Sequence, residues 1–446
     1  MLKLISQFKT TIKNEYRFLS LLSLADILIM NSIKIISYSE SKGGAAKAAR
    51  NFYNLLHALE LYDVELLSVF GTRKKNEFFA ASAFSNCLHY FKMIVARILM
   101  KLGLIRPLTK NSLNIFSSNY VKKSLLTACQ DAQILHINWI NNETISLSLL
   151  KKLISGSKHK IILTMHDEWF YCATEHCAEY GTSDFIHGYM HAEKLKKIIF
   201  NLKTEIDFSK VILTAPSLWL KTRAEESALL RGNNVFLLPN VIDTSLFRPI
   251  CDLDLKHFKD DIEFPNDAIC IGFGAVGGGN NPLKGFDLLI DALKIILENA
   301  DYSKRICLVT FGSAKSDTRV STLACKVLNL GKLSTPENMR DAYNLMDIMV
   351  VPSKVESFGQ VAAESLACQT PVVAFDHSGT TDIVSHMKSG YLAKPFDARD
   401  LANGIMTLID MDKCERNKYG EEGRKHIISN FSNDVIAKKY IELITK

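Results

Sequence analysis

The groups best placed to do chemistry are two glutamates in the second half of the chain. Glu356 and Glu364 stand in "ESFGQVAAESLACQTPVVAF", with seven residues between them. Glu356 falls in the turn after the apolar run "DIMVVPS", and helical spacing begins near Gly359. Glu364 is therefore about one and a half turns into a helix. Both carboxylates can face one cleft, with the helix N-terminus between them. The N–H groups of Gly359, Gln360 and Val361 have no acceptor inside the helix, and the helix dipole adds to their pull on an anion. Carboxylates at both ends and backbone donors in the middle suit a ligand with hydroxyls at its ends and phosphates between. A nucleotide-sugar has that layout.

A second phosphate-binding feature precedes the first. "GFGAVGGGNNPLKG" (Gly272–Gly285) contains a literal G-x-G-x-x-G at Gly272, Gly274 and Gly277, the fingerprint of a dinucleotide turn. In a true dinucleotide site the third glycine opens the helix, and an acidic residue ends the next strand. Here Gly278, Gly279, Asn280, Asn281 and Pro282 intervene, and the next strand, "CLVTFGS", ends without a carboxylate. The residues therefore argue against a nicotinamide or flavin. The helix is expected from about Leu283, with Asn281 as its cap, Pro282 at its first position and Phe286, Leu289, Ile290 and Leu293 on one face. The loop offers the backbone of Gly277–Gly279 at the mouth of a strand. Lys284 then adds a full charge at a helix start.

No metal is expected. "DLD" at Asp252–Asp254 lies in a connecting segment and "DMD" at Asp410–Asp412 near a helix end, so both read as solvated surface. Cys172, His176 and Cys177 lack a second ligand pair, which favours loop or buried residues over a metal cluster. The ten cysteines show no paired zinc-finger spacing, and with no convincing signal peptide they are expected to be reduced and cytosolic.

These residues need strands and helices to hold them. The chain alternates the two, which predicts parallel sheets with helices on both faces. "IKIISYS" (Ile33–Ser39) is the first strong strand, followed by a glycine-containing loop and an amphipathic helix in "ESKGGAAKAARNFYNLLHAL". "QILHINW", "KIILTMHD" and "VILTAPS" follow. A second series comprises "AICIGFG", "RICLVTFGS", "VLNLGKL", "DIMVVPS" and "TPVVAFD". Chemistry in such sheets sits at the carboxyl ends of strands. Gly43, Gly44, His136, Asn138, His166, Asp167 and Ser217 all fall there. The expected domains are an N-terminal extension (1–30), a Rossmann-like domain (31–245), a linker (246–267) and a second Rossmann-like domain (268–446). The last helix is a candidate to pack back on the first domain.

Charge is uneven. Residues 1–250 carry 31 Lys and Arg against 20 Asp and Glu, a net of +11, and the remainder carry 23 against 27, a net of −4. Nucleic acid is not the expected partner: no helix-turn-helix, zinc finger or RNP pattern is present. In "CLHYFKMIVARILMKLGLIRPLTK", Phe91, Ile94, Ile98, Leu102 and Ile105 recur at helical spacing, flanked by Lys92, Arg97, Lys101, Arg106 and Lys110. Such a helix either packs its apolar stripe on the core or lies on an anionic membrane. The apolar run Leu19–Met30 carries Asp26 and is shorter than the ~20 residues a spanning helix needs.

Taken together, "GGAAKAARNFYNLL", "HINWI", "TMHDEWFYC", "LPNVIDTSLFRP", "PLKGFDLLIDAL" and "ESFGQVAAE" resemble the retaining glycosyltransferases of family 4, over nearly everything from about Ile33. The resemblance implies an α/β chain with the GT-B fold, two Rossmann-like parallel-sheet domains facing across a cleft. The N-terminal one would bind the acceptor and the C-terminal one the nucleotide-sugar. The first three motifs point to a branch that builds bacterial surface polysaccharides such as colanic acid, capsule or O-antigen lipopolysaccharide. The implied activity moves a sugar, with retention, from a nucleotide-diphosphate sugar to a lipid-linked or growing saccharide. It needs no metal cofactor and takes place in the cytoplasm, or at the inner face of the cytoplasmic membrane.

By position, Glu356 would contact hydroxyls of the donor sugar, Glu364 the ribose, and Lys284 the diphosphate. Gly43 and Gly44 would approach the diphosphate from the other domain, and His166 the anomeric centre. Gly277, Gly278, Phe358, Gly359, Gln360 and Val361 complete the donor-binding set. Many members of the family place an arginine after the glycine of the preceding strand; here that place is Gly274-Ala275. Two other classes stay open: a sugar-nucleotide epimerase or hydrolase of the same fold, and a catalytically silent polysaccharide-assembly protein.

Overall fold

The structure is a computed structural model that describes residues 32–39, 43–70, 83–102, 110–116, 125–127, 129–156, 158–251, 255, 265, 268–314 and 317–445. The expected extension at 1–30, the Asp252–Asp254 pair and most of the expected linker lie outside these residues.

Among the described residues twelve strands fall in two parallel six-stranded sheets. The first holds β1 (Ser32–Ser39), β2 (Asp63–Phe70), β3 (Ile134–Ile137), β4 (Lys160–Thr164), β5 (Ile212–Ala215) and β6 (Val235–Leu237), in the order β2-β1-β3-β4-β5-β6. The second holds β7 (Ile269–Gly274), β8 (Ile306–Phe311), β9 (Lys326–Asn329), β10 (Ile348–Val351), β11 (Val372–Phe375) and β12 (Gly390–Ala393), in the order β12-β11-β10-β7-β8-β9. The helices that bear on function are α1 (Gly44–Leu59), α2 (Ala83–Leu102), α3 (Leu218–Glu226), α4 (Phe286–Leu297), α5 (Pro336–Leu345), α6 (Gln360–Ala367) and α7 (Asn433–Thr445). The order of each sheet changes direction beside its first strand, the switch-point arrangement that opens a crevice at strand C-termini.

The alternation of side chains along the strands of the second sheet builds two cores. Ile271, Phe273, Val350 and Val373 point to one face and pack with Phe286, Leu289, Ile290 and Leu293 of α4. Met349, Val351, Val372 and Ala374 point to the other and pack with Ala362, Ala363 and Leu366 of α6. Strands buried on both faces read as continuous apolar runs, which is why "IMVV" and "VVAF" show no polar alternation.

By contacts the chain divides into two compact units. One runs up to Thr164 and includes Cys172–His176 and Gly181–Leu213; the other comprises Met165–Tyr171, Cys177–Tyr180 and everything from Thr214. Among the described residues no helix is long and apolar enough to cross a membrane.

Candidate active site

The turn between β10 and α6 carries the first glutamate. Glu356 is held from three directions. Its carboxylate accepts a hydrogen bond from the Ser353 hydroxyl at 2.8 Å. Its N–H donates to the Ser378 hydroxyl at 3.0 Å. Its carbonyl accepts from the Gly379 N–H at 2.7 Å. Ser378 adopts φ 61, the left-handed region that a serine rarely occupies. Gly359 follows with φ 97 and caps α6. Ala363 donates to the Gly359 carbonyl and closes the first turn. The N–H groups of Gly359, Gln360 and Val361 are thus the ones a helix start leaves for an external acceptor.

Lys284 reaches Glu356 from the glycine-rich segment, with its Nζ 2.5 Å from the Glu356 Oε1. Its approach depends on a local break. Asn281 does act as a cap, accepting from the Leu283 N–H at 3.1 Å, and Pro282 does open a helical turn. That turn is only a 3-10 turn, Pro282–Lys284, and the α-helix expected from about Leu283 starts at Phe286. Gly285 interrupts the two with φ 63, and a Cβ there would stand 1.8 Å from the Pro352 carbonyl oxygen. Backbone contact with the β10 turn therefore requires glycine and directs Lys284 towards Glu356. Lys354 strengthens the same seam, donating from its N–H to the Leu283 carbonyl at 2.8 Å and pairing with Asp287 at 3.0 Å.

Glu364 lies deeper on α6 and is 1% exposed. Gln360 donates to its Oε1 at 2.7 Å, and the Tyr343 hydroxyl of α5 donates to its Oε2 at 3.0 Å. Burial, and then the Glu364 charge, push the Tyr343 hydroxyl well up, so tyrosine remains the donor. Phe358 and Val361 flank these groups; Phe358 is buried in the core beside Phe431.

The glycine loop separates into packing and turn residues. Gly272 and Gly274 belong to β7, where a Cβ on Gly274 would come 2.1 Å from the Phe311 ring. Their spacing reports strand packing. Gly277 and Gly278 form the turn beyond, both with positive φ. Ala275, the residue after Gly274, is buried in the apolar core. The basic residue that does reach the loop is Arg319, which sequence reasoning did not single out. Its guanidinium donates to the Gly279 carbonyl at 2.7 Å and lies over the Phe286 ring at 4.9 Å. Asp317 pairs with it at 2.6 Å, and that hydrogen bond holds the Asp317 carboxyl below its usual range.

His166 follows β4 and belongs to the same compact unit as Lys284 and Glu356. Burial lowers it to about 4, against the pull of the neighbouring Asp167 carboxylate. Near it, Glu168 is buried and accepts from Arg223 at 2.6 Å, Tyr171 at 2.8 Å and the Ala178 N–H at 2.8 Å. Gly43 and Gly44 stand at the start of α1 in the other unit, Gly43 with φ 94. Several other residues at strand ends are occupied structurally. His136 is fully buried and bonded to Thr164 at 2.8 Å, and Ser217 caps α3 through the Leu220 N–H at 3.2 Å. Asp167 accepts from the Trp169 N–H at 3.0 Å.

Among the described residues no group of three or more His, Cys, Asp or Glu is placed to hold a metal ion. His176 bonds to Ser112 at 2.8 Å, and Cys172 and Cys177 are buried thiols outside any disulfide. Asp410 accepts from Tyr302 at 2.8 Å, and Asp412 forms a capping box with Glu415.

Two parallel six-stranded sheets define the class: the GT-B glycosyltransferase fold. One solved structure with this fold is Anabaena Alr3699/HepE in complex with UDP and glucose. It superimposes with a TM-score of 0.63 at 17% identity, over 93% of this chain and 99% of that one. Residues 278–426, which hold Lys284, Glu356 and Glu364, match the family described as glycosyl transferases group 1. Curated relatives include the mannosylfructose-phosphate synthase of Agrobacterium fabrum, 26% identical over 50% of this chain and 51% of that protein. Another is the capsular polysaccharide biosynthesis glycosyltransferase CapM of Staphylococcus aureus, 29% identical over 34% of this chain and 40% of that protein. The alignments thus span about half the length of these relatives or less.

Proposed function

We propose that the chain is a retaining glycosyltransferase that moves a sugar from a nucleotide-diphosphate sugar to a lipid-linked or growing saccharide in surface-polysaccharide synthesis. The observation that carries this reading is the Lys284–Glu356 ion pair at 2.5 Å, set against the N-terminus of α6, with Glu364 buried further along the same helix. That arrangement offers cationic and N–H donors flanked by carboxylate acceptors, the sequence of groups a nucleotide-sugar presents in complement. The similarity to CapM supports the polysaccharide setting.

The chemical demand is leaving-group stabilisation. As the bond from the anomeric carbon to the diphosphate breaks, charge grows on phosphate oxygens. The Lys284 ammonium and the first-turn N–H groups of α6 are preorganised to meet it. Glu356, fixed by Ser353 and Ser378, accepts from hydroxyls of the donor sugar, and Glu364 from ribose hydroxyls. His166, neutral at physiological pH, contacts the sugar near the anomeric carbon. In a retaining reaction the acceptor attacks from the face the leaving group departs, and the departing phosphate takes the acceptor proton. No metal enters the scheme.

Screening nucleotide-sugars by calorimetry and then measuring transfer tests the reading. Glu356→Ala is expected to cut transfer by roughly 10²–10³, the scale of losing one preorganised charge-stabilising contact, while the circular dichroism spectrum is unchanged. Near-normal turnover in that variant would sink the assignment. A free product formed without any acceptor would instead favour an epimerase or hydrolase.

A further inference from the structure

We propose that the outward face of α2 is a docking surface for an anionic lipid bilayer. The sequence leaves two options for its apolar stripe, the core or a membrane. The side of α2 that faces the protein carries His89 and Ala96, each 2% exposed. At 100° per residue, Phe91, Ile94, Ile98 and Leu102 project to the opposite side. They are 62%, 52%, 51% and 74% exposed. An ordinary surface helix turns its apolar stripe inward; α2 turns its stripe outward, with Arg97 and Lys101 exposed beside it. Its most apolar face is its most exposed one.

The rims decide what covers it. Arg97 and Lys101 border the stripe on one side and Lys92 on the other, and the helix sequence "AFSNCLHYFKMIVARILMKL" contains no acidic residue. The half of the chain in which it lies carries the net charge of +11. A helix of this kind lies in the plane of the interface, its apolar side chains ~5–10 Å deep and its cations among anionic headgroups. The three cations within α2 exclude a spanning role, and no described helix meets the length and hydropathy that spanning requires. The proposal deepens the reading that the acceptor is lipid-linked, because it gives the enzyme a surface that reaches such an acceptor. Its evidence is separate from the donor site.

Co-sedimentation of the full chain with phosphatidylcholine vesicles, with and without phosphatidylglycerol, tests it. Binding is expected to the anionic vesicles only. It is expected to weaken as salt rises from ~0.1 M to ~1 M, because the screening length falls from ~10 Å to ~3 Å. Ile94→Glu combined with Ile98→Glu is expected to abolish binding. Arg97→Gln and Lys101→Gln are each expected to weaken it roughly fivefold, the worth of one cation near such a surface. Met387→Glu, at an exposed apolar residue elsewhere, serves as the control. Unchanged binding in the Ile94/Ile98 variant overturns the proposal. So does salt-independent binding to phosphatidylcholine alone. A concentration-dependent dimer in sedimentation equilibrium that the same variant disrupts, without vesicle binding, assigns the face to a second copy and also overturns it. Nucleotide-sugar calorimetry on the variants reads the donor site independently, so failure of either reading leaves the other measurable.

Discussion

Lys284 and Glu356 form a partly exposed ion pair, and such pairs contribute at most ~1 kcal/mol to stability. Their value is positional: the carboxylate holds Nζ, and the lysine retains further N–H donors for a phosphate. Lys284→Ala is therefore expected to change the urea midpoint little and to lower kcat/KM by roughly 10²–10³. The Lys284/Glu356 double variant should lose much less than the product of the two single losses, since each side chain holds the other in position. Additive losses would show that the two side chains act separately. His166 gives a pH prediction. Its folded value of about 4 lies below its unfolded value near 6.5, so below ~6.5 the unfolded state binds the extra proton. Stability should fall as pH drops through that window and level off below the folded value. After allowing for partial exposure, His166 accounts for on the order of 2 kcal/mol of this loss. Urea unfolding of His166→Gln at neutral and acid pH should show a correspondingly flatter dependence. An unaltered slope would mean the imidazole is not desolvated.

At the scale of elements, the candidate site residues leave clearer marks in the sequence than the groups that support them. Glu356, Glu364 and Lys284 were legible because strand, turn and helix leave local marks. The helix start was misplaced because Asn281 and Pro282 give a true cap signal for a single 3-10 turn, and only the φ 63 of Gly285 ends it. Ser378 was invisible: it lies 22 positions from Glu356, and only folding brings its hydroxyl to the Glu356 N–H. Strand β6, three residues long, is too short to show a period. The stripe on α2 was legible as a stripe, but periodicity does not say which side of a helix faces water. Gly285→Ala tests the hinge. A Cβ 1.8 Å from the Pro352 carbonyl, in a left-handed conformation, should cost ~2 kcal/mol or more. It should also displace Lys284, so the unfolding midpoint and nucleotide affinity fall together. Arg319→Ala is expected to act differently. It removes the donor to the Gly279 carbonyl and should weaken nucleotide binding with a smaller stability loss.

At the scale of the whole molecule, the two surfaces sit in different compact units: α2 in the first, and the Lys284–Glu356 pair in the second. Charge divides along the chain, strongly basic in residues 1–250 and mildly acidic in the remainder, which holds the Lys284–Glu356 pair. A basic half suits an anionic surface, but a net negative half must bind an anionic donor through local groups, because its overall field opposes the ligand. The donor site should thus depend on short-range contacts at the start of α6 and on Lys284, and be less sensitive to salt than vesicle binding. Hydrogen–deuterium exchange on the full chain separates the two. A nucleoside diphosphate is expected to slow exchange in Gly277–Gly285 and Glu356–Val361 and to leave α2 unchanged. Anionic vesicles are expected to slow exchange in α2 and leave those segments unchanged. Protection of the glycine segment by vesicles alone, or of α2 by the nucleotide alone, would contradict this division of labour.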